Sequence, residues 1–320
     1  LAWSNKIDQA RIEFSDAQLY FGSHHWPVWG QNNVQAFLAN QRDMYKYLHD
    51  QTVRLINQGF NAKEIAEQIT LPPSIANNFY NRGYYGSVSH NAKAIYQFYM
   101  GWFDANPANL NPLPDTESAK RYVKLAGGEQ AMLDAGQMAY QEGEFRWAAQ
   151  LLNHLVFSNP DHDAAKTLLA KTYTQMAYQS ESAPWRNFYL KGAQELTQGV
   201  SQQGVEMALM EDIFLNTDVD KFFTSMAVRL NNDKARDVQQ VIKVVFSDLK
   251  QSYYLVLNNS VLHHYSTDVA SFTPDEISAT LSITQGLFVK ILIGKAGISE
   301  TIFSDELSVD GSTIDLISFL

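Results

Sequence analysis

The amino-acid sequence predicts a mainly α-helical region followed by a smaller α+β region. Apolar residues recur at helical spacing through much of residues 33–180, as in the run from Ala139 to Tyr173. From Val241 onward, short runs of Val, Ile, Leu and Tyr alternate with turn residues, which is typical of strands. Residues 198–204 join the two patterns and contain two glycines among Gln and Ser. A chain of 320 residues can bury two or more cores, so we expect at least two domains.

The first feature of the chain is a loop that carries two adjacent histidines. Residues 17–21 predict a short apolar strand, and the sequence Gly-Ser-His-His-Trp-Pro-Val-Trp-Gly follows it as residues 22–30. Pro27 fixes its own φ and keeps Trp26 extended, so the loop cannot become helical. A neutral imidazole presented from a strand end suits a catalytic zinc ion, although such an ion takes three or more protein ligands. A histidine pair packed against tryptophans is the alternative interpretation.

Helices are predicted over much of the next part of the chain. The first spans residues 33–59, with Asn33 as its cap and Gly59 as its stop. Asn61, followed three residues later by Glu64, predicts the capped start of a short helix that Leu71-Pro72-Pro73 ends. A third helix is predicted for residues 92–103.

The loop before that third helix is a second candidate for function. Residues 82–91 read Arg-Gly-Tyr-Tyr-Gly-Ser-Val-Ser-His-Asn. Arg82, His90 and the backbone amides of the helix start could bind an anion such as sulfate. An ordinary connection between two helices is the alternative.

Residues 128–180 give the clearest structural pattern. Small residues recur where two helices would cross closely, and Asn159-Pro160 predicts the opening of the next helix. The pattern resembles a tetratricopeptide-type helical hairpin, and we expect one or two such units rather than a long array.

The remainder predicts a small sheet with apolar helices. A helix is predicted at residues 219–226 and another at 285–293, with strands at 241–246, 253–257, 260–265 and 279–284 and a strand or turn at 303–309. Asn258-Asn259 predicts the turn of a hairpin. A second histidine pair, His263-His264, falls on a predicted strand. Neighbouring strand residues point to opposite faces, so one metal ion cannot readily bind both.

Composition excludes several classes of function. The net charge is −10, and residues 201–320 contain 8 Lys and Arg against 16 Asp and Glu. An acidic surface repels nucleic acid and anionic membranes, so we expect neither as a partner. No apolar run approaches the roughly 20 residues of a transmembrane helix. The chain has no cysteine, which excludes disulfides and thiolate metal sites.

The His-His-Trp-Pro motif, the helical hairpin and the α+β end together resemble the alkyl sulfatases. The resemblance implies three parts: residues 1–32 as the end of a metallo-β-lactamase-type catalytic domain, 33–198 as an all-α dimerisation domain, and 205–320 as an α+β domain similar to sterol carrier protein 2 (SCP2-like). It implies that His25, or else its neighbour His24, is one ligand of a two-zinc site.

The same resemblance implies roles for other residues and for the whole protein. His90 would be a catalytic group at the sulfate, Arg82 and Tyr85 would contact the substrate, and Leu287, Phe288 and Ile291 would line a space for its alkyl chain. The implied reaction is zinc-dependent hydrolysis of medium or long alkyl sulfate esters, such as dodecyl sulfate, by a homodimer.

Part of the family pattern is missing from these residues. The family's His-x-His-x-Asp-His motif has no match in this sequence, so we expect the remaining zinc ligands in a catalytic part that precedes Leu1, and these residues by themselves to be inactive. The expected location is periplasmic or secreted, with cytoplasm also compatible. Two other functions stay open: a non-enzymatic lipid-binding or scaffold protein, and a metallo-β-lactamase relative that acts on another ester.

Overall fold

The computed structural model describes residues 1–200, 210–297 and 305–312. The chain divides into two compact units, Leu1–Ser201 and Gln202–Leu320. The first is helical and the second combines a sheet with helices, so the predicted order of a helical region and then an α+β region is confirmed. The predicted linker beyond residue 200 and the predicted domain start at residue 205 lie outside the described residues. Within the described ranges, no helix combines the length and the apolar character that crossing a membrane requires.

The first unit opens with a helix, a two-stranded hairpin and a long helix. These are α1 (Ala2–Glu13), β1 (Leu19–Tyr20), β2 (Val28–Trp29) and α2 (Gln31–Asn57). β1 and β2 pair antiparallel, so residues 21–27 form the connection of a hairpin. The strand predicted for residues 17–21 is present but shorter. α1 packs along α2, where Asp8 binds Arg42 at 2.7 Å and the Ser4 hydroxyl donates to the carbonyl of Arg42 at 3.1 Å.

Four more helices follow α2, and the caps predicted for α2 and α3 can be compared with the structure. They are α3 (Ala62–Gln68), α4 (Pro73–Ala76), α5 (Val88–Met100) and α6 (Asp115–Leu125). Asn61 caps α3 as predicted, because its side chain accepts the amide of Glu64, whose carboxylate accepts the amide of Asn61. The predicted cap at Asn33 is wrong. The cap of α2 lies three residues earlier, at Gly30 with a φ of 88°, and the Asn33 side chain donates to the carbonyl of Trp29 instead.

The last four helices of this unit pack one against the next. They are α7 (Glu129–Gln141), α8 (Phe145–Ser158), α9 (Asp163–Tyr178) and α10 (Ala183–Gln198). A Cβ atom at Gly136 would lie 2.7 Å from a methyl carbon of buried Leu152, so α7 and α8 cross closely only because residue 136 has no side chain. Pro160 was predicted to open α9, but it does not. The helix begins later, where Nδ1 of His162 accepts the amide of Ala165 at 3.3 Å.

The second unit is a five-stranded mixed sheet with helices packed on one face. Its elements are α11 (Glu211–Leu215), α12 (Val219–Ala227), β3 (Gln240–Phe246), β4 (Gln251–Asn258), β5 (Val261–Ser266), β6 (Ala279–Ile283), α13 (Gln285–Leu292) and β7 (Leu307–Gly311). The strand order is β5-β4-β3-β6-β7, with β3 and β6 parallel and the other neighbours antiparallel. Phe223 of α12, Phe246 of β3 and Phe288 of α13 meet between the helices and the sheet.

The predicted hairpin turn in this unit is wrong by one residue. The turn between β4 and β5 is Asn259-Ser260, at φ 53° and 57°, whereas Asn258 still pairs with Val261 in the ladder. Two central residues with positive φ give the turn whose twist matches that of the flanking strands. The strand or turn predicted at residues 303–309 begins outside the described residues, and within them a turn leads into β7 at Leu307.

Candidate active site

The loop that joins β1 to β2 presents the first histidine pair outward. His24, His25 and Trp26 are exposed. His25 has a φ of 64°, in the left-handed region that residues other than glycine avoid. Holding a non-glycine residue there costs about 1–3 kcal/mol, and such conformations concentrate at functional sites. The backbone therefore marks His25 as a candidate for function.

α2 supports both this hairpin and a neighbouring turn. The buried ring of Phe37 lies 4.7 Å from the ring of Tyr20 in β1 and 4.6 Å from the ring of Tyr80. One turn later, the Gln41 amide donates to Oδ1 of Asn81 at 2.8 Å and to the carbonyl of Tyr80 at 3.1 Å. Residues four apart lie on one face of a helix, so α2 fixes residues 79–81 beside the histidine hairpin.

Residues 79–90 form the second segment of the site, and aromatic rings of this segment surround His25. The ring of Phe79 stacks on Trp26 with 5.3 Å between centroids and lies 6.3 Å from the His25 ring. The ring of Tyr84 lies 6.2 Å from that of His25 and 5.0 Å from that of Phe79. Tyr85, which is 76 % exposed, lies 6.1 Å from His24, so the predicted metal ligand and this predicted substrate contact are brought into one cluster.

The start of α10 holds the second segment in place. The Ser182 hydroxyl donates to the carbonyl of Tyr85 at 2.6 Å. The backbone amide of Ala183 donates to the carbonyl of Tyr84 at 2.7 Å. Glu181 binds the guanidinium of Arg82 at 2.5 Å. The predicted substrate contact Arg82 is therefore already paired with a carboxylate, and an anion would have to share its guanidinium or displace Glu181.

His90 lies in the first turn of α5, because this helix begins at Val88, four residues earlier than predicted. Its Nδ1 accepts a hydrogen bond from the indole N–H of Trp185 in α10 at 3.1 Å. An accepting nitrogen carries no proton, so neutral His90 has its proton on Nε2 and can donate it to a ligand. No contact among the described residues joins the His90 ring to the His25 ring.

Charged residues near His90 connect several helices. The ammonium of Lys93 lies 5.5 Å from the ring of Trp185. Glu67 of α3 binds Arg146 of α8 at 2.9 Å. That hydrogen bond lowers the pKa of Glu67, and Lys93 contributes further, so Glu67 stays ionised.

The described residues do not contain a complete zinc site. Within them, no group of three or more His, Cys, Asp or Glu side chains converges as metal ligands would. A zinc site takes at least three protein ligands, and this loop offers His24 and His25. No described residue forms a hydrogen bond with a ring nitrogen of His25, so this exposed imidazole is open to a cation. The chain fits zinc as the donor of a histidine to a site completed by other residues.

The three predicted apolar contacts lie in the second unit. Leu287 and Phe288 are buried in its core, and Ile291 packs against that core while partly exposed. Their role toward an alkyl chain stays a prediction.

Two residues that shape the site, Trp185 and Glu181, have no signal in the sequence. Trp185 is 95 residues from His90, and Glu181 is still further from Arg82, so only the fold brings these partners together. The Tyr84-Tyr85 pair is visible in the sequence, but nothing in it tells which ring faces His25.

Comparisons with known proteins now identify the family. The family model named alkyl sulfatase dimerisation matches residues 61–199, and the model named alkyl sulfatase C-terminal matches residues 208–320. The chain belongs to the alkyl sulfatase family. The resemblance carried by the sequence motifs is thereby confirmed.

Individual alkyl sulfatases match nearly the whole chain. It is 41% identical over 312 residues to a linear primary-alkylsulfatase of Pseudomonas sp., covering 97% of this chain and 46% of that protein. It is 39% identical over 319 residues to the alkyl/aryl-sulfatase BDS1 of Saccharomyces cerevisiae, covering 99% and 48%. The fold matches that of the inverting sec-alkylsulfatase Pisa1 from Pseudomonas sp. with a TM-score of 0.91 at 37% identity, covering 99% of this chain and 50% of Pisa1. The chain spans about half the length of the relatives it matches and corresponds to their C-terminal part.

Proposed function

We propose that the chain is the C-terminal part of a zinc-dependent alkyl sulfatase that hydrolyses sulfate esters of medium and long alkyl chains, such as dodecyl sulfate. One observation carries the proposal: in a chain of the alkyl sulfatase family, His25 is exposed, strained and surrounded by aromatic rings. The matched relatives are named as primary, secondary and alkyl/aryl sulfatases, so their shared chemistry is sulfate ester hydrolysis.

In this proposal His25 is one ligand of a two-zinc centre, with His24 as the alternative. The other ligands come from a metallo-β-lactamase-type catalytic domain, of which residues 1–32 form the end. When bound, the two Zn²⁺ ions would activate water and neutralise charge on the sulfate. The hairpin's own contribution is to present the imidazole in a fixed direction, since Phe37 packs against Tyr20 of β1 and the ring of Phe79 stacks on Trp26 of the loop.

The second segment contacts the sulfate ester. His90 is the catalytic group, because the bond from Trp185 leaves its Nε2–H free to donate to an ester oxygen. Positioned proton donors of this kind contribute about 10²–10⁴-fold in rate. Arg82 and Tyr85 bind the anion, with Glu181 sharing the charge of Arg82.

The second unit is proposed to be an SCP2-like domain that holds the alkyl chain beside Leu287, Phe288 and Ile291. Burial contributes about 0.8 kcal/mol per CH₂ group, so affinity would rise with chain length. A periplasmic or secreted location stays a prediction.

The all-α domain is proposed to form a homodimer. The family model that matches residues 61–199 is named for dimerisation, and this domain exposes large aromatic side chains such as Trp147 (52 %) and Phe188 (80 %). Aromatic residues are enriched in the centres of protein interfaces.

The decisive experiment measures zinc in the intact natural protein. We expect about two zinc ions per protomer in the wild-type protein and a clear loss of bound zinc in His25→Ala, because an incomplete ligand set binds weakly. The matched control is His263→Ala, which removes an exposed imidazole from the other histidine pair and should leave the zinc content unchanged.

Each outcome decides between the functions. A zinc content that His25→Ala leaves at the wild-type value would remove His25 from the metal site, and a similar loss in His24→Ala would transfer the role to its neighbour. A metal-free intact protein would instead favour the non-enzymatic lipid carrier.

A further inference from the structure

The Tyr84 hydroxyl is buried without a hydrogen-bond partner. Its oxygen is inaccessible to solvent, and no described residue lies within hydrogen-bond reach of it. An unsatisfied buried hydroxyl is destabilising, and nearly all buried polar groups in proteins do find partners. A hydroxyl at this position therefore calls for a partner that another state of the site supplies.

The exposed His25 ring is a candidate for that partner. Neither of its nitrogens is hydrogen-bonded by a described residue, and its centroid lies 6.2 Å from that of Tyr84. Two other histidines in this chain show what such a separation permits. The rings of His90 and Trp185 are 6.1 Å apart and share a hydrogen bond of 3.1 Å, while those of His49 and Tyr99 are 5.7 Å apart and share one of 2.7 Å.

The His25–Tyr84 pair is close to those two bonded pairs in ring separation and in interplanar angle, which is 61° against 66° and 65°, and it differs from them in having no hydrogen bond. Tyr84 is the fixed member, because its ring packs on Phe79, its carbonyl accepts an amide of α10, and the Arg82 guanidinium lies 5.5 Å from its ring centroid. His25 is the exposed member, on a strained backbone. A turn of the imidazole about its side-chain bonds is therefore the movement that would join them.

Metal-bound histidines in proteins almost always have such a partner. When one ring nitrogen binds a metal, the other carries the proton and donates it to an oxygen that fixes the ring's orientation. We propose that the Tyr84 hydroxyl oxygen accepts this N–H of His25 in the zinc-bound protein, so that Tyr84 is a positioning residue for the metal ligand. This inference rests on the proposed role of His25 as a zinc ligand.

The test compares three variants of the intact protein, with Zn²⁺ affinity measured by competition with a chelator and thermal midpoints measured on the metal-free protein. Tyr84→Phe keeps the ring packed on Phe79 and removes only the hydroxyl. We expect it to weaken zinc binding about 10–100-fold, the usual effect of losing a partner of a metal ligand. We expect its metal-free midpoint to stay equal or rise, because the hydroxyl has no bond to lose in that state.

Tyr99→Phe is the matched control, since it removes a hydroxyl that is already bonded to a histidine elsewhere in the unit. It should leave zinc affinity unchanged and lower the metal-free midpoint, the reverse of Tyr84→Phe. His25→Ala separates the two proposals. If His25→Ala loses zinc while Tyr84→Phe stays within twofold of wild type, the inference fails and the function stands. If His25→Ala binds zinc normally, the proposed function fails first. A lower metal-free midpoint for Tyr84→Phe would show a packing role and overturn the inference.

Discussion

The chain contains two pairs of neighbouring histidines, one pair in each unit, and the two pairs differ in backbone conformation. His24-His25 lies in the hairpin loop of the helical unit, with both residues exposed and His25 at φ 64°. His263-His264 lies inside β5, paired with Val256 and Leu255 of β4. A loop can turn two neighbouring imidazoles toward one point, whereas a strand sends them to opposite faces of its sheet.

The two rings of the second pair therefore lie on opposite faces of the sheet. His263 is exposed on the outer face, where its ring stacks with that of Tyr265 at 6.1 Å. His264 faces the core, and its ring lies 5.7 Å from that of Phe223. A His-His dipeptide is therefore no sign of a metal site by itself, because the backbone decides whether the pair can act together.

The largest expected effect comes from removing the ring that supports each pair. Phe223 is 1% exposed and contacts several rings of its core, so Phe223→Ala should destabilise the α+β unit by about 3–5 kcal/mol. Phe79 is 46 % exposed beside His25, and Phe79→Ala should cost the helical unit about 1 kcal/mol or less.

The tryptophans allow the two units to be followed separately by urea unfolding. All six lie within residues 1–201, so tryptophan fluorescence reports the helical unit. The α+β unit contains only Tyr253, Tyr254 and Tyr265 of the sixteen tyrosines, so its signal is the tyrosine change that remains after subtraction of the part that follows the tryptophan transition. A Phe79→Ala loss as large as that of Phe223→Ala would mean that the first pair is packed like a core and would remove the contrast.

Features with local causes could be predicted from the sequence. The cap at Asn61 needs only Glu64 three residues later, and the opposed faces of His263 and His264 follow from strand geometry. The turn at Asn259-Ser260 was misplaced by one residue, because the register of β5 is set by its pairing with β4 along the whole strand.

Features that join distant segments could not be predicted. The Trp185 bond that fixes the tautomer of His90 spans 95 residues, and no local pattern announces it. The unsatisfied hydroxyl of Tyr84 depends on how residues 79–86 lie against α2, α10 and the histidine hairpin. The family resemblance implied a metal role for His25, but only the fold shows which rings surround that residue.

A smaller effect should distinguish the two members of the second pair. His264→Ala removes a partly buried ring from the face of Phe223 and should destabilise the α+β unit by about 1–2 kcal/mol. His263→Ala should stay within about 0.5 kcal/mol of wild type, because its ring is at the surface. The measurement is the urea midpoint of the tyrosine signal. Equal losses in the two variants would contradict the assignment of their rings to opposite faces.

The smallest effect is the difference in stability between a glycine and an alanine variant, and it should have opposite signs in the two pairs. His25→Gly and His25→Ala both remove the imidazole, but only glycine accepts a φ of 64° without strain, so the glycine variant should be more stable by about 1 kcal/mol. In β5 the same comparison at His263 should favour alanine by about 0.5–1 kcal/mol, because glycine weakens a strand. Tryptophan-detected unfolding measures the first difference, and tyrosine-detected unfolding measures the second. Alanine as the better residue at both positions would show that the loop relaxes once the imidazole is gone. The strain at His25 would then belong to the histidine's own contacts rather than to the hairpin, and the backbone could no longer be said to hold this residue ready for a ligand.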